Sequence, residues 1–384
     1  MDNRLDEKFS MDDSVNVDDT LKISDFDYDL PSELIAQTPI EPRDASRLLV
    51  VHRDTQAIEH RHFYDVGTYL RPGDLLIANQ SRVIPARLLG RREETGGAVE
   101  VLLLAERSDK GRDYWETLVR PGRRLREGAR IEFGGGNAAP RLLGEILERT
   151  DADGRIVHFS LPEHETSGMD IADPYALLTV RQRIDEIGRM PLPPYIHERL
   201  TDPERYQTVY ARIQGSAAAP TAGLHFTPAL LDQLRTQGVR VGFVTLHVGL
   251  DTFRPVESER VNEHKMHSEE IELDAPTAEL INATRGAGGR VIAVGTTSVR
   301  VLESVASMHA GRVVPYKGNT RLFITPGYSY QVVDALITNF HLPRSTLLLL
   351  VSAFMGKELM EKAYQAAIHE RYRFFSFGDA MLLL

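Results

Sequence analysis

Two stretches of the C-terminal half repeat one local grammar, and that repetition constrains the fold more than any other feature of the chain. Thr227 offers a side-chain oxygen where a helix would begin and Pro228 takes its first position. LLDQLRTQG then runs out at Gly238, directly before the strand-like VRVGFVTLHV. Asp274 and Pro276 repeat the start, a helical pattern continues to about Arg285, Gly286 and Gly288-Gly289 stop it, and the apolar RVIAVG follows. A hydroxyl or carboxylate cap satisfies orphan N–H groups of a first turn, proline is harmless there, and glycine accepts the conformation past the last turn. Helices alternating with apolar strands predict an α/β fold: a mixed, largely parallel sheet domain with helices.

The N-terminal half reads differently. DYDLPSELI, RLLVVH and, after the turn Arg71-Pro72-Gly73, DLLIAN begin the α/β layer. Between Ser81 and Leu161 the texture changes to short alternating runs, AVEVLLLAE, YWETLVR, ARIEF, EILERT and RIVHFSL, broken by glycine-rich or charged turns. Strands at that spacing predict an inserted small β-barrel domain. Helical patterns return around Pro174 to Ile187, and the proline-rich GRMPLPPYI ends them. The expected division is an acidic disordered tail over 1–20, a discontinuous α/β catalytic domain over 21–80 and 162–384, and the barrel over 81–161.

Composition narrows the function classes. The 384 residues contain no cysteine, which removes disulfides, thiolate metal sites and thiol nucleophiles together. The longest apolar run, around Leu347 to Met355, is about half of the roughly 20 residues a bilayer span requires, so no membrane partner is expected. An acidic start without the basic and apolar regions of a secretory signal points to the cytoplasm. The net charge of −10 is unevenly spread: the first twenty residues hold seven acids and two bases, while Val119 to Arg130 sets five arginines against Glu127. Because steering follows the local field, that arginine segment can meet phosphates despite the acidic total. A solvated hairpin rim is the plainer alternative.

Several strand ends carry candidate chemistry. In RVIAVGTTSVRVLES a strand turns through Gly295 into a helix whose first residues are Thr296, Thr297 and Ser298, so backbone N–H groups and three hydroxyls converge where a carboxylate or phosphate would bind. The small residues of AAPTAGLHFTP, with Pro220, Thr221 and Gly223, admit a flat ring, and His225 follows at a helix entry. His247 ends VTLHV, and TNFHLPRS supplies Asn339 and His341. EHKMHSE supplies Glu263, His264 and His267. The last trio could also be loose metal ligands, but it lacks the HExxH order of a zincin. Each histidine alone is an ordinary core or turn residue; their joint occurrence after strands predicts a lined cleft. The aromatic rings of RYRFFSFGDAM read as core, and Asp379 as a carboxylate free to hold a ribose hydroxyl or a basic partner.

Taken together, EPRDASRLLV, RVIPARL, VRPGRRL, MPLPPYI, RYQTVYA, AAPTAGLHFT, VTLHVGL with TFRPV, EHKMHSE, VIAVGTTSVRVLES, TNFHLPRSTLL and YRFFSFGDAM resemble the S-adenosylmethionine:tRNA ribosyltransferase-isomerase family of queuosine biosynthesis, from about Ile23 to the end. The resemblance implies transfer and isomerisation of the ribosyl group of S-adenosylmethionine, a co-substrate, onto 7-aminomethyl-7-deazaguanine at the wobble position of tRNA. Epoxyqueuosine-tRNA, adenine and methionine would be the products, no metal is implied, and a monomer is expected. Three positions depart from the family: Asp251 where glycine is usual, Asn79-Gln80-Ser81-Arg82 for Asn-Asp-Thr-Arg, and Phe377 for tyrosine.

On that resemblance His225 and His247 are the leading proton-transfer candidates, with Glu263 and His264 as alternatives. Thr296, Thr297 and Ser298 would hold the methionine carboxylate, and Pro220, Thr221 and Gly223 the adenosine side, beside Asn339 and His341. Arg82, Arg120, Arg123 and Arg124 would neutralise tRNA phosphates. Two other readings stand beside it: a metal-dependent hydrolase of a nucleotide-like substrate, and a tRNA-binding protein without catalysis.

Overall fold

The computed structural model describes residues 20–107, 109–134, 140–150, 154–162, 179–249, 256, 258–264 and 266–384. The acidic tail expected over 1–20 lies, apart from the exposed Thr20, outside the described residues, as do Asp251 and the start of the helical pattern at Pro174.

Strands β1 (Arg47–Val51), β2 (Ile58–His62) and β3 (Leu75–Asn79) come first, and β3 is buried along its whole length. A short strand β4 (Ser81–Val83) leads to β5 (Arg87–Arg92), β6 (Ala98–Glu106), β7 (Tyr114–Arg120), β8 (Arg130–Phe133), β9 (Leu142–Arg149) and β10 (Arg155–Ser160). The last six close into an antiparallel barrel in the order β10-β7-β6-β5-β8-β9. Alternation of side chains explains the closure: Val99, Val101 and Leu103 of β6 and Trp115 and Val119 of β7 point inward with Ile131, Phe133, Ile146 and Val157, and a closed barrel leaves no open edge. Helix α1 (Val180–Ile187) adds Val180 and Ile184 to that core. Ser81–Val83 is not a barrel strand; it pairs in parallel with β11 (Ile213–Ser216).

The C-terminal half follows the predicted alternation: α2 (Pro228–Thr236), β12 (Arg240–Leu246), β13 (Glu269–Leu273), α3 (Ala275–Gly286), β14 (Val291–Val294), α4 (Thr296–Met308), β15 (Tyr316–Thr320), β16 (Ala335–Asn339), α5 (Thr346–Met355), α6 (Lys357–His369) and β17 (Ala380–Leu383). The caps form as read: Thr227 accepts from the N–H of Leu230 and Asp274 from that of Thr277. The nine-stranded sheet runs β15-β13-β12-β3-β14-β16-β17-β1-β2. β12, β3, β14 and β16 are mutually parallel, and antiparallel partners flank them. Alternate residues of β1 and β3 feed two cores, Leu49, Val51, Leu75 and Ile77 on one face and Leu48, Val50, Leu76 and Ala78 on the other. The fold is thus α/β with a mixed, largely parallel sheet, carrying a small closed barrel. Among the described residues no helix is long and apolar enough to cross a membrane.

Candidate functional site

The chain leaves β3 for β12 on one side of it and later returns to β14 on the other. Such a switch opens a crevice beyond the carboxyl ends of the strands, which is where open α/β sheets receive ligands. A pocket of about 620 Å³ of empty space, counting the part open to solvent, lies there. Gly295, Thr296 and Thr297 line it from the end of β14, and residues 338–342 from the end of β16. Residues 219–222, Phe375, Ser376, Tyr195 and Val248, together with Ser345 and Leu347 of α5, complete the lining.

Backbone chemistry at α4 makes this pocket receptive to an anion. Gly295 holds a φ of 86° at the helix N-cap, a conformation that favours glycine, and no side chain caps the first turn. The N–H groups at the start of α4 and the positive end of its dipole therefore face the pocket without a capping side chain. The Thr297 hydroxyl is buried and has no hydrogen-bond partner among the described residues. Ser298 is different. Its hydroxyl donates back to the Val294 carbonyl at 2.8 Å and its side chain is fully buried, so it belongs to the strand–helix junction rather than to the lining.

Asn339 ties the surroundings together. Its carboxamide accepts from the Thr221 hydroxyl at 2.9 Å and donates to His225 Nε2 at 3.2 Å and to the Phe375 carbonyl at 3.3 Å. Since Nε2 accepts, His225 Nδ1 carries the proton and donates to Ser46 Oγ at 2.7 Å. Both ring nitrogens of His225 are thus engaged, and burial, with Arg43 and Arg373 nearby, pushes its pKa down to about 3. His225, expected from sequence as a proton-transfer group, sits behind Asn339, off this pocket and on a smaller hollow beside Arg43 and Ser376. Phe375, whose backbone Asn339 holds, sits at φ 69°, a rare region for a bulky side chain and one that clusters at binding sites.

The structure gathers Pro220, Thr221, Thr296, Thr297, Asn339 and His341 on one lining, and leaves the other expected residues off it. His341 is half-buried, its Nε2 is 2.7 Å from the Thr338 hydroxyl, and desolvation pushes its pKa down to about 3. Gly223 faces away: a Cβ there would collide with the Tyr210 hydroxyl, so the glycine serves close packing, not ligand approach. His247 is one residue before Val248, just past the end of β12, and is off the lining; its ring lies against Gly215. Glu263 is exposed on a 3-10 turn, and His264 packs edge-on to Phe323 at 5.3 Å. Among the described residues no three His, Cys, Asp or Glu side chains converge as a metal set, so Glu263, His264 and His267 do not form the ligand trio considered from sequence. Arg82 is in an ion pair with Glu204, Arg120 and Arg123 are exposed, and the Arg124 side chain lies outside the description.

Asp379, read as a possible ligand group, instead accepts the backbone N–H groups of Arg47 at 2.8 Å and Arg373 at 2.7 Å, closing the 373–379 loop. That loop delivers Phe375 and Ser376 to the pocket, two residues the sequence reading assigned to core or left unremarked. Tyr195, in the proline-rich segment, was missed as well; its hydroxyl meets Ser376 Oγ at 2.6 Å and its ring lies 4.9 Å from that of Phe375. Their membership in motif-dense segments was the only available signal.

Comparison with known proteins covers all but the first part of the chain. A family model described as "Queuosine biosynthesis protein" matches residues 23–383. A protein of Symbiobacterium thermophilum named S-adenosylmethionine:tRNA ribosyltransferase-isomerase is 58% identical over 95% of this chain and 100% of its own length. One of the same name from Moorella thermoacetica is 54% identical over the same shares. Among solved structures, the S-adenosylmethionine tRNA ribosyltransferase of Thermotoga maritima is similar, with a TM-score of 0.52 and 40% identity, covering 94% of this chain and 100% of that one.

Proposed function

The chain belongs to the queuosine biosynthesis protein family, and from that premise we propose that it is an S-adenosylmethionine:tRNA ribosyltransferase-isomerase. It transfers the ribosyl group of S-adenosylmethionine to 7-aminomethyl-7-deazaguanine at the tRNA wobble position, isomerises it, and releases adenine and methionine. The observation that carries the reading is full-length similarity to enzymes of that name together with a strand-end pocket presenting an uncapped helix N-terminus.

In this reading the adenosine lies along Pro220 and Thr221, and the first turn of α4, at Thr296 and Thr297, attracts the carboxylate of the methionine part. The reaction asks for removal of a proton from the carbon beside the sulfonium, whose positive sulfur acidifies that C–H. We assign that step to His341 rather than His225. Among the described residues it is the imidazole that lines this pocket, whereas both ring nitrogens of His225 are engaged. Asn339 holds Thr221 and Phe375 in place around the substrate. The barrel, inserted over 81–161 on the division read from sequence, brings Arg120, Arg123 and Arg124 to tRNA phosphates, with Arg82 at its base. The enzyme acts as a monomer in the cytoplasm, where both substrates reside.

The test is direct. Incubation with S-adenosylmethionine and tRNA bearing 7-aminomethyl-7-deazaguanine should release one adenine and one methionine per modified tRNA, and omission of the tRNA should abolish release. Binding of that tRNA without adenine release would return the chain to a non-catalytic role.

A further inference from the structure

Arg300 stands one turn beyond Thr297 on α4, on the same helix face, and it is a charged residue that burial has left incompletely satisfied. It is 6% exposed, its Nε donates to the Leu322 carbonyl at 3.3 Å, one terminal nitrogen pairs with Glu269, and the other, Nη2, has no hydrogen-bond partner among the described residues. Glu269 is buried too, and its second oxygen lies 3.3 Å from the Gly249 N–H, immediately after the pocket residue Val248, and 3.5 Å from His267 Nε2. Desolvation lowers the Arg300 pKa to about 10, which still leaves it charged.

Around Arg300 lies a small hollow walled by Met266, Leu322, Phe323, Ile324 and Leu350 with His267 and Thr346, and Leu347 lines both this hollow and the strand-end pocket. The two spaces are therefore neighbours across Leu347. Two buried donors without partners among the described residues, Thr297 Oγ1 on the pocket side and Arg300 Nη2 on the side of the hollow, stand on successive turns of α4. A guanidinium with an unpartnered terminal N–H, one turn from an unpartnered hydroxyl, complements a carboxylate at the end of a short aliphatic chain.

We propose that Arg300, held in place by Glu269, recognises the carboxylate of the methionine moiety, Arg300 Nη2 and Thr297 Oγ1 taking it together. The inference rests on the proposed function and assigns to a side chain the charge recognition that the helix N-terminus alone would supply weakly. It makes Arg300 a binding residue, and it explains why a buried ion pair, costly to desolvate, stands beside the pocket.

Three thioethers measured by calorimetry without tRNA test it: S-adenosylhomocysteine, its decarboxylated counterpart, and 5′-deoxy-5′-methylthioadenosine, which lacks the amino-acid head. The wild-type chain should bind S-adenosylhomocysteine at least tenfold more tightly than the decarboxylated compound. In Arg300→Lys, and in the paired Glu269→Gln/Arg300→Met variant that leaves no lone buried charge, that ratio should fall to about threefold or less while methylthioadenosine affinity is kept. A wild-type ratio near one, or variants that retain the wild-type ratio, would overturn the assignment. Failure of the wild-type chain to bind any of the three would instead overturn the adenosine pocket on which it rests.

Discussion

The Asn339 carboxamide and the His225 imidazole form a buried couple 3.2 Å apart in which the amide donates and the ring accepts. The couple fixes the tautomer of one and the orientation of the other, so Thr221 and Phe375 are held to the same hub from two directions. A ring used in this way must stay neutral.

That requirement gives a pH dependence of stability. His225 and His341 have folded pKa values of about 3, against about 6.5 when unfolded. Between those values the unfolded chain binds more protons, so the contribution of each is complete above about pH 6.5 and is lost as pH falls toward 3. The slope approaches about 1.4 kcal/mol per pH unit for each histidine. Urea unfolding of wild type and His225→Gln at several pH values should show the variant with a slope shallower by about one proton. Equal slopes would mean that His225 is charged in the fold.

Gly223 predicts a steric effect. Gly223→Ala forces a methyl group into the Tyr210 hydroxyl and should cost about 1–3 kcal/mol, the range for overpacking a close-packed interior. Tyr210 Oη has no hydrogen-bond partner among the described residues, so Tyr210→Phe alone should be close to neutral and should recover much of the loss in the double variant. Thermal denaturation of the four proteins checks this, and strict additivity would show that the two positions do not touch.

Asp379 links the sheet to the pocket wall. Asp379→Ala removes the acceptor of two backbone N–H groups and should destabilise by about 1–3 kcal/mol for each left unmet. Because Phe375 and Ser376 lie in the loop it closes, affinity for S-adenosylmethionine should fall as well, by calorimetry at a temperature where the variant is fully folded. Unchanged affinity would show that the loop keeps its shape without the carboxylate.

The contrast between these residues shows what the sequence could carry. Caps at Thr227 and Asp274 and the strands behind them were legible because a helix start is decided within four residues. The inward alternation of β6 and β7 likewise announced a β insert. The order of strands in the sheet depends on partners far apart in the chain, and no local pattern encodes it. At the site, position was legible and direction was not. Thr297 and Ser298 are neighbours, yet the first lines the pocket while the hydroxyl of the second turns back to Val294. His225 and His341 both follow strand-like segments, but only packing decides that the first hides behind Asn339 while the second lines the pocket. Phe375 read as core and Arg300 drew no reading of its own, because nothing nearby in sequence reveals an orphan nitrogen or a φ of 69°.

The barrel arginines give the last prediction. Arg120 and Arg123 are exposed and carry no ion pair among the described residues, whereas Arg82 is in contact with Glu204. A phosphate that meets a free arginine releases a condensed counterion, so each contact steepens the fall of log affinity with log salt by about 0.9 on duplex and about 0.7 on single strands. Replacing Arg120 and Arg123 by alanine should flatten the tRNA-binding slope by nearly that amount for each, with little change in affinity for S-adenosylmethionine. Arg82→Ala should act less, because part of its charge is already met, and Glu204→Gln should strengthen tRNA binding by releasing it. Filter binding across a salt series distinguishes these outcomes; slopes unchanged by Arg120→Ala and Arg123→Ala would make the two arginines a solvated rim of the barrel.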